Sequence, residues 1–126
     1  MQEKEATRDE ARDFPVILVV DDEQMNIEVM RAMIFEHGYD VDEASSGADA
    51  VSLFEQRIEL AKKGVAKMYK IIFLDYSMPI MDGPQVAKRM RHLCKDLEGH
   101  DAPYICCCTA YAEASFKVTA LISGMD

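Results

Sequence analysis

Residues 71–83 read IIFLDYSMPIMDG. Four apolar residues, Ile71 to Leu74, run straight into Asp75, and the chain then breaks at Pro79 and Gly83. An apolar run this short suits a strand buried on both faces, the kind found inside parallel sheets. A carboxylate at the tip of such a strand needs a purpose, and the neighbouring segments supply its context.

Upstream, FPVILVVDD at 14–22 repeats the pattern: the apolar run Val16 to Val20 ends on Asp21 and Asp22. Between the two runs, residues 23–38 place Met25, Val29 and Met33, and also Met30 and Ile34, at helical spacing, with Gly38 as a stop. The methionines are expected to form a core stripe. YDVDEAS at 39–45 alternates in polarity and suits an edge strand. Residues 46–64 form a second amphipathic helix, with Ala50, Leu53, Phe54 and Ile58 inward and Gly64 past its end. Downstream, 84–97 predicts a third helix with Pro84 at its first position. EGHDA at 98–102 is loop, PYICCCT at 103–109 a further apolar strand, and 110–124 again shows helical spacing.

Strand and helix alternate throughout, which specifies an α/β doubly wound parallel sheet covered on both faces. Ligands bind such sheets beyond the carboxyl ends of the strands. Three of the four strands place polar groups there: Asp21 and Asp22 on the first, Asp75 on the third, Thr109 on the fourth.

The totals narrow the classes. A chain of 126 residues fits one domain, and a 49% hydrophobic content supports a single core. A net charge of −9 argues against a nucleic-acid partner, which would need clustered Lys and Arg. No apolar run approaches the roughly 20 residues that span a bilayer, so no membrane contact is expected from this segment. Residues 1–13 read as a charged leader without a signal-peptide core, and the chain as cytoplasmic. Cys94, Cys106, Cys107 and Cys108 read as reduced, small apolar fillers, since adjacent strand residues face opposite ways and cannot share one metal. His37, His92 and His100 share no motif and read as surface residues.

Neighbouring strands lie about 5 Å apart, so the tips of the first and third strands can share one ion. Aspartates that close repel unless a cation neutralises them. Magnesium suits the set, because it takes few carboxylates and keeps positions open for water and phosphate oxygens. A carboxylate beside such a cation can activate water or attack phosphorus itself.

With ILVVDDEQMN at 17–26, IIFLDYSMPIMDG at 71–83 and CCCTAYAE at 106–113, the chain resembles the receiver domain of two-component response regulators and hybrid histidine kinases. The resemblance runs from residue 14 to the end and implies a flavodoxin-like fold. It implies that Asp75 accepts a phosphoryl group from a phosphohistidine on a histidine kinase or histidine phosphotransfer protein. Asp22 and Asp75 would ligate Mg2+ directly, the Ser77 carbonyl would be a third ligand, and Asp21 would hold a metal-bound water. Thr109 would hydrogen-bond the phosphoryl group and act as the switch, and Pro79 and Gly83 would shape the loop. The family also carries a lysine on a fifth strand. Within 14–126 that strand, its lysine and the final helix are expected to be lacking, which leaves the fourth strand an edge open to self-association.

Two other readings stand beside this one. A pseudo-receiver would bind partners without accepting phosphate, as the missing lysine allows. A Mg2+-dependent hydrolase working through an aspartyl phosphate, like the haloacid-dehalogenase-like phosphatases, would need an acid where this chain has Ser77.

Overall fold

The computed structural model describes residues 14–97 and 102–108. The sheet strands are β1 (Ile17–Val20), β2 (Asp42–Ala44), β3 (Ile71–Asp75) and β4 (Tyr104–Cys108). Between them lie the helices α1 (Gln24–Phe35), α2 (Gly47–Lys62) and α3 (Gly83–Leu93), the last followed by a 3-10 turn at Cys94–Asp96. All pairings are parallel and the strand order is β2-β1-β3-β4. The order doubles back after β2, so α1 lies on one face of the sheet while α2 and α3 cover the other. Among the described residues β2 and β4 form the two edges.

Alternation along the central strands divides the core. Leu18, Val20, Ile72 and Leu74 point toward α2 and α3, where they pack with Phe54, Ile58, Val86 and Met90. Ile17 and Val19 face α1 and meet Ile27 and Val41, with Met30, Ile34 and Phe73 packed around them. The first of these clusters is much the larger.

The apolar stripe expected on α1 holds at Met30 and Ile34 and is corrected at Met25, Val29 and Met33. Met25, Val29 and Met33 are 73%, 55% and 57% exposed, and the sheet receives Met30 and Ile34 together with Ile27, a position not among those expected. Both sets recur at helical spacing, and one helix offers the sheet a stripe only about 100° wide. The set that continues from Ile27 lies over β1, so the other is turned away. A smaller revision concerns α3, which begins at Gly83 and puts Pro84 second. Its N-cap is Asp82, in a reciprocal capping box with Gln85 at 3.0 Å each way. Cys106 and Cys108 are half-buried rather than core fillers, lying on a strand that is an edge among the described residues.

At the end of the sheet away from Asp75, the buried Arg57 ties four segments together. Its guanidinium donates to the carbonyls of Pro15 (2.6 Å) and Lys67 (3.2 Å) and to Asp42 Oδ2 (3.0 Å). The Tyr69 hydroxyl donates to the same oxygen at 2.6 Å, and the Arg57 guanidinium carbon lies 4.1 Å from the centre of the Tyr69 ring. Burial first, and then the Asp42 carboxylate, push the Tyr69 phenol well above its ordinary range. No helix among the described residues is long and apolar enough to cross a membrane.

Candidate phospho-acceptor and metal site

The carboxyl end of the sheet gathers the acids. β1 and β3 are hydrogen-bonded neighbours, with Val20 opposite Leu74, so the residues that follow each emerge side by side. Asp21, Asp22 and Asp75 each offer a carboxylate oxygen, and these oxygens all lie within 4.8 Å of one another. Asp21 and Asp75 are half-buried and Asp22 is exposed.

The local backbone holds each acid. The Asp21 amide donates to the Ala44 carbonyl at the end of β2 (3.1 Å). Asp21 Oδ1 accepts from the Glu23 amide (2.9 Å) and from Asn26 Nδ2 (3.4 Å), which directs the chain into α1. Asp75 lies opposite Cys108, and the Tyr76 amide continues the ladder to the Cys108 carbonyl (3.4 Å). The loop then closes on itself, with the Gly83 amide donating to the Tyr76 carbonyl at 2.9 Å. A Cβ on Gly83 would lie 2.4 Å from the Asp75 carbonyl oxygen and 2.9 Å from Tyr76 Cα. Only glycine lets α3 start this close to the strand end.

Electrostatics mark Asp75 out. Burial, then the charge of Asp21, and then the charge and hydrogen bond of Asp22 push its carboxyl up to about 6; the Ser77 amide partly offsets them. A half-buried acid facing two others is a cluster of like charges that could hold a cation. The donor set, carboxylate oxygens only, suits a small hard cation. Asp21, Asp75, Ser77 and Asn26 open onto a cavity of about 600 Å³ whose remaining wall is mostly apolar and includes Met30 and Phe73.

Of the residues singled out from sequence, Asp21, Asp22 and Asp75 converge, and Ser77 lies at the rim of the same cavity. Pro79 and Gly83 lie in the closing loop. Thr109, Cys107's side chain and the helix read at 110–124 fall outside what the structure describes. His37 and His92 are exposed, as expected, and His100 is not described. Sequence reasoning passed over Asn26. Its signal was the five-residue spacing from Asp21, which brings the amide back across the first turn of α1.

Comparison with known proteins agrees with this geometry. Residues 17–126 match the family model of the response regulator receiver domain, and the chain belongs to that family. It is 36% identical over 110 residues to the osmosensing histidine protein kinase SLN1 of Saccharomyces cerevisiae, covering 87% of this chain and 8% of that protein. It is 36% identical over 88 residues to hybrid signal transduction histidine kinase L of Dictyostelium discoideum, covering 70% of this chain and 5% of the relative. The chain thus spans less than a tenth of the length of these kinases. Among solved structures, the receiver domain of the Arabidopsis thaliana histidine kinase CKI1 complexed with Mg2+ and BeF3− superposes with a TM-score of 0.78 at 25% identity, over 87% of this chain and 76% of that one.

Proposed function

We propose that this receiver domain takes a phosphoryl group onto Asp75 from a phosphohistidine on a histidine kinase or histidine phosphotransfer protein, with Mg2+ in the acidic site. The observation that carries the reading is the convergence of Asp21, Asp22 and Asp75 at the end of adjacent strands. Support comes also from the names of the relatives, histidine kinases, and from the metal bound in the CKI1 receiver.

In this reading the Asp75 carboxylate attacks phosphorus in line. A new O–P bond forms as the N–P bond to the donor imidazole breaks, and the imidazole leaves with that electron pair. Mg2+ held there would offset the charge of the three carboxylates and of the incoming phosphoryl oxygens. Asp22, Asp75 and the Ser77 carbonyl would hold it directly and Asp21 through water. Asn26 keeps Asp21 turned toward the site. The Gly83 contact fixes the backbone of Asp75, and the half-buried setting keeps its carboxylate basic. Thr109, one residue beyond β4, would hydrogen-bond the transferred group and pass the change to neighbouring elements.

The test is labelling with radioactive acetyl phosphate and Mg2+. The natural chain should acquire acid-stable, base-labile acyl phosphate, and Asp75→Asn should acquire none. Undiminished label on the variant would move the acceptor elsewhere. Mg2+ binding without label on the natural chain would favour the pseudo-receiver reading.

A further inference from the structure

The loop that closes beside Asp75 carries a residue that nothing in the fold requires. Ile80 is fully exposed, and its φ is +71°. It is the one non-glycine residue with positive φ among the described residues. A β-branched side chain in the left-handed region is an outlier, disfavoured by contact between Cβ and the backbone. Glycine or asparagine would relieve that strain, and water would accept either more readily than isoleucine. The residue therefore stabilises neither the loop nor the core.

The turn that presents it is rigid. Met78 is buried on one side, and Met81 packs against the core on the other. The Met81 amide donates to the Pro79 carbonyl at 2.7 Å, spanning Ile80. The Asp82 capping box and the Tyr76–Gly83 hydrogen bond then lock both ends of the loop. An exposed apolar side chain on a locked turn loses little freedom when it is covered, which is the property of an interface anchor.

Charge indicates what covers it. The site holds three carboxylates, and the chain carries −9 overall. A phosphohistidine brings further negative charge, so this surface repels the group it is to receive. Apolar contact beside the acceptor offsets that repulsion without depending on charge, and Ile80 is the exposed apolar side chain of this loop. A small phosphodonor has no surface to make such a contact; a protein donor does.

We propose that Ile80 is a partner-recognition residue: an apolar knob on the locked β3–α3 loop that seats in an apolar depression beside the phosphohistidine of a protein donor and governs transfer from that donor. The inference rests on Asp75 being the acceptor. Ile80 takes no part in bond making.

Two donors separate the roles. The chain and its Ile80→Asn and Ile80→Gly variants are labelled once with acetyl phosphate and once with the phosphorylated histidine-kinase domains of SLN1 and kinase L. Acetyl phosphate should label all three at the same rate. Transfer from the protein donors should fall about tenfold in both variants, the effect of losing one buried anchor. Phe35→Gln, which removes an exposed apolar residue from the far end of α1, should change neither rate. Equal rates from the protein donors would overturn the proposal, as would a parallel fall with acetyl phosphate, which would assign Ile80 to the chemistry of the loop. Failure of both protein donors to label the natural chain while acetyl phosphate succeeds would refute the apolar fit to such partners. Failure of acetyl phosphate and the protein donors alike would instead refute the acceptor reading on which it rests.

Discussion

Removing the charge of Asp75 should make the metal-free protein more stable. The carboxyl is raised from 3.8 to about 6 by burial and by its two acidic neighbours. Between these values the folded chain keeps a proton that the unfolded chain has lost, so stability falls as pH rises from about 4 to 6. Above pH 6 the full penalty is present. A shift of two units corresponds to about 3 kcal/mol, but the side chain is partly open to water. Screening reduces the figure to about 1.5 kcal/mol. Asp75→Asn keeps the shape and removes the charge. In EDTA at pH 7.5 it should unfold at a temperature higher by roughly 5 °C. The gap should narrow as pH falls from 6 and close below about pH 4, once Asp75 is protonated in the unfolded state as well. Millimolar Mg2+ should raise the natural protein more than the variant, since it neutralises the same repulsion. The chain has no tryptophan, so far-UV circular dichroism is the probe of choice. A variant no more stable than the natural protein at pH 7.5 without metal would refute the claim that the three acids are held against their mutual repulsion.

Three further outcomes follow from the same structure. Asp42→Ala should destabilise the domain by about 3 kcal/mol, because Arg57 is left as a buried charge without its carboxylate; an unchanged urea midpoint would contradict this. Gly83→Ala should cost about 2 kcal/mol through the clash with the Asp75 backbone, and should lower acetyl-phosphate labelling by more than the unfolded fraction explains. Asp22→Ala should weaken Mg2+ binding at least tenfold in calorimetric titration while Cys106→Ala leaves it intact, since one removes a charged ligand from the cluster and the other does not. Equal losses in both would point to general unfolding.

Much of this architecture was legible in the chain itself, for a physical reason. The runs Ile17–Val20 and Ile71–Leu74 are apolar throughout, and only a strand covered on both faces can use such a run. Asp21, Asp22 and Asp75 stand where those runs end, so parallel pairing alone brings them to one edge. Gly38 and Gly64 adopt the positive φ that their places after helices call for. These features depend on neighbours in sequence and on one rule of strand pairing.

Other features depended on how the pieces meet. Periodicity allowed α1 two apolar stripes, and only its docking on β1 chose Ile27, Met30 and Ile34 over Met25, Val29 and Met33. Arg57, Asp42 and Tyr69 look like ordinary surface residues in the sequence, yet their separation of up to 27 positions closes to hydrogen-bond distance. The raised pKa of Asp75 belongs to no single residue, being the sum of its burial and its neighbours' charges. The left-handed backbone of Ile80 is imposed by a loop anchored on both sides. Local pattern decides which face of a strand or helix is apolar, but the field at a carboxylate and the strain in a turn come from atoms that only the folded chain brings together.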